Sequence, residues 1–395
     1  MPPNAMADCV FPEDIIISIL TRLPVKSIVR FKSVCKPWLE LLSSPNFKNL
    51  HRGEFSRDPK NRSFILHRTN NNSSNTLSVF KIGQNETKPT ILDHPFSYIQ
   101  TYMDILGCYN GLVCLGTAVI RDVIHLWNPA LKLSKEIIPL EECGLGENEI
   151  VEMTSLGFGY DAARDDYKVV RIVGLHIPIF LSGINVKVVE VYSCNSDSWI
   201  RMNVDVKFNV IWTASSVNVN GNPYWMARVG EKVRDENWVI VCFDVTEMVF
   251  KFMPFSPLGD IDGGIIRLYE FNGCLGALKF YKDDRGPVES IDVWVFDDSE
   301  EIWRKNRSLE CIDQFELKYV LQGLENGEII GERDGKLFVF EPESRRVKLM
   351  VNGGVGLEKL GLCGYTESLV CFKGMKTVKA RKTTRKRKMI MPIII

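Results

Sequence analysis

The chain has 395 residues, of which 45% are hydrophobic and 25% charged, and its 49 Lys and Arg balance 49 Asp and Glu. That is the make-up of a soluble globular protein of two or three domains. No apolar run reaches the roughly 18 residues of a membrane span, and the opening MPPNAMADC has neither the basic nor the apolar part of an export signal, so a cytoplasmic or nuclear protein is expected.

The first predicted element starts at Pro12, because proline suits a first helical turn and Glu13 and Asp14 favour the positive end of a helix dipole. The helix is expected to run to about Leu23. Along it Ile15, Ile19 and Leu23 form one i, i+4, i+8 row, and Ile16, Leu20 and Leu23 form a second, which is more apolar surface than one packing face uses. Pro24 stops this helix and starts the next. Ile28, Phe31, Val34, Trp38, Leu41 and Leu42 carry helical spacing through a second and a third helix, with Pro37 in a first turn or at a kink. A domain of about 40 residues seldom holds together without a disulfide, a metal or a partner. Its surplus apolar surface must be covered by the rest of the chain or by another protein, and Lys26, Ser27, Arg30 and Lys36 would rim such a docking surface.

The stretch FPEDIIISILTRLPVKSIVRFKSVCKPWLELLSSPNF (11–47) resembles an F-box. The pattern is carried by Pro12, Ile15, Ile19, Leu23, Pro24, Ile28, Val34, Cys35, Lys36, Trp38, Leu41, Pro45 and Phe47, with Phe11 where the family has leucine. The resemblance implies a Skp-type adaptor of SCF ubiquitin ligases as partner and, through it, a cullin and a RING protein. It places the adaptor contact on Pro12, Ile15, Ile19, Leu23, Pro24, Val25, Lys26, Ser27, Val34, Cys35, Lys36 and Trp38. Pro12, Leu23, Pro24 and Trp38 are the expected anchors, with packing inside the domain as the alternative role for Trp38.

LHRGEFSRDPKNR (50–62) is polar and breaks the helical period, so residues 51–62 read as a linker after a domain at 8–50. From residue 63 the chain reads as strands, among them SFILHR, TLSVFKI, GLVCLG, KVVEVY, WVIVCF, SIDVWVF and KLFVF, separated by turn residues. RTNNNSSNT (68–76) is expected at a hairpin tip. Five segments share one scheme, an apolar strand ending in an aromatic, a turn and a returning strand, with the aromatics at Trp127, Tyr192, Phe243, Phe296 and Phe340. In four of them the residue seven positions on is again apolar: Trp199, Phe250, Trp303 and Val347. Asn-Gly turns at Asn110, Asn220, Asn272 and Asn326 recur at about one or two multiples of 53 residues, with GFGYDAARDDYKVVRIV filling the gap. A period near 53 with about four strands per unit is what a propeller blade requires. The expected fold is therefore α+β and multidomain: a small three-helix domain, then an all-β propeller of about six blades over 63–375. A pair of β-sandwiches is the alternative. The first strands (63–92) and CGYTESLVCFKG (363–374) are expected to share the closing blade.

LGFGYDAARDDYKVVRIV, EVYSCNSDSWIRMN, WVIVCFDVTEMVFKFMP and NGLVCLG followed by LWNPA are similar to the associated domain of plant F-box proteins, a group with kelch-like and S-locus members. The resemblance implies a target-recognition subunit without catalysis of its own, with an adaptor-binding scaffold outside a ligase and a propeller enzyme as the alternatives. The residues agree: GGVGLEKLG and GERDGKL fail as nucleotide loops, no GxSxG occurs, and the acids Asp297, Asp298, Glu300 and Glu301 fall in a predicted turn. Eleven cysteines without a CxxC pair are read as reduced core residues, and five dispersed histidines offer no metal cluster, so neither metal nor cofactor is expected. Target contacts are sought on the longer insertions 174–187 and 256–264, above all at His176, Ile177, Pro178, Ile179 and Phe180, which read equally as a core strand. Residues 376–388 hold eight Lys or Arg and no acid, leaving the rest of the chain near −8. This 376–395 tail is read as solvated, with nuclear import as a further role. Without interleaved aromatics it speaks against nucleic-acid binding.

Overall fold

A computed structural model describes residues 12–70, 75–81, 89–96, 103–117, 123–140, 150–176, 185–203, 208–210, 216–229, 237–256, 258, 265–282, 288–310, 319–324, 326–344, 346–351 and 357–378. The N-terminal part holds four helices where three were expected: α1 (Glu13–Leu20), α2 (Val25–Phe31), α3 (Lys36–Ser43) and α4 (Pro45–Arg57), followed by a 3-10 turn, Pro59–Asn61. Each start has a proline. Pro12 and Pro24 are the N-caps of α1 and α2, and Pro37 and Pro45 lie in the first turns of α3 and α4. Ser44 completes the last start by accepting a hydrogen bond from the Phe47 amide at 3.1 Å, a cap of about 1 kcal/mol.

Most of the expected linker is helical, since α4 continues to Arg57. The reason is a row spaced by four that its polar composition conceals: Phe47, His51 and Phe55 are all buried, with the His51 ring stacked on Phe55 at 5.1 Å. Leu20, Val25, Ile28, Leu42 and Phe47 make the helical core, each worth about 1.5–3 kcal/mol on burial.

The remaining described strands form six sheets. From the inner to the outer strand, blade 1 is Leu357–Tyr365, Ser63–Asn70, Asn75–Phe80 and Thr90–Ile91, and blade 2 is Met103–Tyr109, Leu112–Thr117, Val123–Asn128 and Leu133–Ile137. Blade 3 comprises Ile150–Asp161, Asp166–His176, Asn185–Ser193 and Ser198–Asn203. In blade 4, Val217–Val219 and Phe208–Val210 both pair with Asn222–Val229, followed by Asn237–Asp244 and Val249–Pro254. Blade 5 is Ile265–Phe271, Cys274–Lys282, Val288–Asp297 and Ile302–Glu310, and blade 6 is Tyr319–Gly323, Ile329–Arg333, Lys336–Glu341 and Arg346–Val351. One apolar cluster lies between each pair of neighbours round the ring, including the pair formed by blades 6 and 1. A pair of sandwiches would have two cores, so the ring of six identifies a propeller.

The sequence repeat is the register of the outer hairpins. Tyr192 lies opposite Trp199, Phe243 opposite Phe250, Phe296 opposite Trp303 and Phe340 opposite Val347. The intervening turn has a left-handed residue at its fourth position, as at Lys132, Asp197, Met248 and Glu301. The Asp244 and Asp297 carboxylates accept from the following backbone amides and close their turns. The ring closes through the C-terminal strand Leu357–Tyr365, which pairs with Ser63–Asn70; of the segment 363–374 expected in the closing blade only 363–365 belongs to it, and the rest leaves that blade. A second closure was not expected: Lys376–Thr377 pairs with the outer strand of blade 2, and Val378 is buried. The basic tail thus begins inside the fold, and its residues 379–395 lie outside the described residues. The expectation of core cysteines also needs correction, because Cys35 and Cys371 are exposed while Cys114, Cys194 and Cys242 are buried.

Candidate functional site

The two apolar rows of α1 separate. Leu20 is 3% exposed and packs inward, with Ile16 partly buried against the same cluster, whereas Ile15 is 46% and Ile19 56% exposed. Val34, 63% exposed, continues the open apolar surface, and Pro12, Pro24, Lys26, Cys35 and Lys36 are exposed as well. Leu23, Ser27 and Trp38 are half-buried. Trp38 meets the Phe31 ring edge-on at 5.5 Å, which gives it a packing role within the helices. Val25 is the correction: it is fully buried in the helical core and offers a partner nothing. Three exposed apolar residues of the helices escaped the sequence reading, Val29 on α2, Leu39 on α3 and Leu50 on α4. Each lies beside the row that packs, and the interest in core spacing hid them.

The opposite side of the helices is held by the rest of the chain. Residues 366–378 run as a strap from the inner strand of blade 1 to the outer edge of blade 2. Leu369, 2% exposed, enters the helical core, with Ala130 and Leu131 of a blade 2 turn packed against the same cluster. The Glu367 carboxylate accepts from the Val25 amide at 3.2 Å, satisfying a free N–H at the start of α2. The strap is itself pinned by Asn128, fully buried, whose Nδ2 donates to the Ser368 carbonyl at 3.0 Å and the Val370 carbonyl at 2.8 Å. Gly111 leaves it room: a Cβ there would stand 2.6 Å from the Thr366 carbonyl oxygen. Arg52 of α4 adds a contact to blade 3, lying over the Tyr160 ring at 5.3 Å and 3.6 Å from Asp165. His51 anchors α4 to the α1–α2 turn through Nε2, 2.8 Å from the Leu23 carbonyl, and burial pushes its pKa down.

These contacts fix which end of the propeller the helices occupy. Leu131, Asp165 and Thr366 all lie at the end that carries the Asn-Gly turns and the outer hairpins. The strand directions send the other connections, from second to third strand and from one blade to the next, to the opposite end. The insertion 174–187 leaves from that far end. His176 closes its strand there, paired with Ile150, and residues 177–180 lie outside the described residues. Of 256–264, Leu258 is buried in the core between blades 4 and 5, which removes it as a contact.

The acids of the blade 5 turn do structural service. Asp297 takes hydrogen bonds from Ser299 and Arg304, which hold its pKa down at about 2. Among the described residues no group of three potential metal ligands occurs, and no helix is long and apolar enough to cross a membrane.

Comparison with known proteins agrees with this architecture. Residues 9–50 match the F-box domain family, and residues 60–361 match the F-box associated beta propeller domain family. Among curated proteins the chain is similar to an F-box/kelch-repeat protein of Arabidopsis thaliana, 25% identical over 77% of this chain and 80% of the relative. A second Arabidopsis F-box protein is 26% identical over 87% of this chain and 88% of its own length. With helices that expose one apolar row, a six-bladed ring behind them and both parts matched, the chain belongs to the family of F-box proteins that carry an F-box associated β-propeller domain.

Proposed function

We propose that this chain is a target-recognition subunit of an SCF-type ubiquitin ligase. Its F-box docks to a Skp-type adaptor through Ile15, Ile19, Val34 and the exposed residues around them, and the far end of the propeller receives a target protein. The observation that carries the reading is the opposition of the two ends: the F-box presents its apolar row outward while the strap holds its other side to the propeller. A ligase subunit of this kind supplies proximity, and the chemistry belongs to the cullin–RING partners reached through the adaptor. The reading places the protein in the cytoplasm or nucleus, with the basic residues from 379 onward as an import signal.

The test is capture of a Skp-type adaptor by the full chain, beside an Ile15→Asp, Ile19→Asp, Val34→Asp variant. Changes at exposed positions are expected to leave the melting temperature within about 0.5 kcal/mol equivalent of the wild type. Adaptor capture should be lost, because aspartates buried in an apolar contact would be left unpaired. A folded variant that captures the adaptor as well as the wild type would end the docking assignment.

A further inference from the structure

The inner strands of blades 1, 2, 4, 5 and 6 line a cavity of about 1220 Å³. Arg52, Ser56, Pro59 and Arg62, from α4 and the turn after it, line it toward the F-box end. Much of the wall is apolar and aromatic, with Leu268, Tyr269, Phe280 and Trp238. Small-ligand sites typically occupy about 300–1,000 Å³, are largely apolar and fix their ligand with a few polar groups.

Arg267 stands in this cavity on the inner strand of blade 5, three residues into a strand that starts at the far end. Its side chain is accessible to water, yet burial pushes its pKa down. Both hold when the accessible surface is the wall of an enclosed space. Nη1 donates to the Val320 carbonyl at 3.3 Å. Among the described residues no carboxylate pairs with it. Of the acids on the cavity wall, Glu270 accepts from the Gly273 amide, Glu332 from the Gly335 amide and Glu367 from the Val25 amide, while Asp104 and Glu328 stand on the same wall. Among the buried cations Lys279 likewise donates to a carbonyl, that of Leu258 at 2.8 Å, whereas three others meet acids. Lys168 meets Asp161 at 2.9 Å, Arg171 meets Glu190 at 2.8 Å and Lys135 meets Asp197 at 2.7 Å. An arginine stays charged at any physiological pH, and its planar fork matches a carboxylate or phosphate in bidentate geometry.

We propose that this cavity is a binding site for an anionic ligand, a carboxylate or phosphate joined to an apolar body, with Arg267 as its anchor. The apolar body fills the aromatic wall beside the guanidinium. The anion reaches Arg267 from the far end, either as a free small acid or as an acidic side chain of a bound protein. Binding at this site needs no adaptor, so its failure would leave the ligase reading untouched.

The test is calorimetric titration and thermal melting of the full chain with 2-naphthoate, with its neutral isostere 2-naphthamide, and with an acetylated Glu-Glu-Phe peptide amide. Naphthoate should bind the wild type and raise its melting temperature, and Arg267→Met should weaken it at least about tenfold, the loss expected for one charge-assisted contact. Naphthamide should bind both proteins weakly, and Arg267→Lys should retain part of the naphthoate affinity. Without ligand, Arg267→Met should melt at or above the wild-type temperature, because an uncompensated enclosed charge has been removed. Arg267-dependent binding of the peptide but not of naphthoate would assign the anion to a target protein and support the site. The proposal is overturned if neither acid binds, if both bind Arg267→Met unchanged, or if that variant melts lower and no anion stabilises the wild type, which would make Arg267 a strut to Val320.

Discussion

Leu369→Ala tests whether the strap holds the F-box to the propeller. Leu369 is 2% exposed, and its buried neighbours Leu20, Val25, Ile28, Leu42 and Phe47 all belong to the F-box. Truncation removes three carbons, about 2.4 kcal/mol at about 0.8 kcal/mol each, and the cavity left behind raises such losses toward the 2.7–5 kcal/mol seen for buried leucines. The cost falls on the joint between the two units, since the clusters inside the ring do not contain Leu369. Native-state hydrogen exchange reads it directly. Amides of α1–α4 should exchange roughly 10²- to 10³-fold faster while those of blades 4 and 5 keep their rates. Uniform acceleration throughout the chain would mean that Leu369 closes the ring instead, and unchanged exchange in α1–α4 would mean that the F-box stands without the strap. Leu42→Ala, which lies within the helices, should accelerate α1–α4 by a comparable amount and serves as the internal standard.

The F-box should loosen in mild acid through His51. Its Nε2 is bonded to the Leu23 carbonyl and its buried Nδ1 has no partner among the described residues, so burial holds its pKa below the ordinary 6.5. A depressed folded-state pKa gives stability that is complete above about 6.5 and is lost as pH falls from there through the folded value; protection of α4 amides, taken relative to their intrinsic exchange rates, should therefore fall below about pH 6.5, and His51→Gln should abolish that dependence. Asp161, fully buried between blades 3 and 4, has a pKa that burial alone would raise, but hydrogen bonds from Arg164 and Lys168 bring it down to about 2. Its contribution is present above the unfolded pKa of about 3.9 and lost as pH falls toward 2, so Asp161→Asn should flatten the acid limb of a melting-temperature profile over that window. Gly157→Ala should destabilise the ring by about 1–3 kcal/mol in urea unfolding. The new Cβ would stand 2.3 Å from Cζ2 of the buried Trp225, forcing blades 3 and 4 apart, and an unchanged midpoint would show that the seam can give.

What could be read from the sequence was what repeats locally. The two rows on α1 announced more apolar surface than one packing face uses, and the structure divides them as Leu20 inward and Ile15 with Ile19 outward. The aromatic pairs seven residues apart announced a hairpin, and they are cross-strand neighbours in register. Position along the chain says little, by contrast, about contacts such as Val25 with Glu367, 342 residues apart, or Asn128 with Ser368, 240 apart. Val25 was misplaced on the docking surface for that reason: it packs with Leu20, Ile28, Leu42 and Phe47, and the strap returning from the C-terminus adds Leu369 to that cluster and Glu367 to its amide. The same contact explains the turn and LWNPA motifs of blade 2. As local signals they mark two turns, yet Gly111 is where the strap passes too closely for a side chain and Asn128 donates two of the strap's hydrogen bonds. A motif that looks like turn chemistry is here the receiving half of a long-range clasp. The clasp sets the angle at which the F-box leaves the ring, and with it how far an adaptor bound at one end stands from whatever the other end holds. In the proposed ligase, changes at Gly111 or Asn128 should therefore disturb target presentation while leaving the exposed Ile15, Ile19 and Val34 in place.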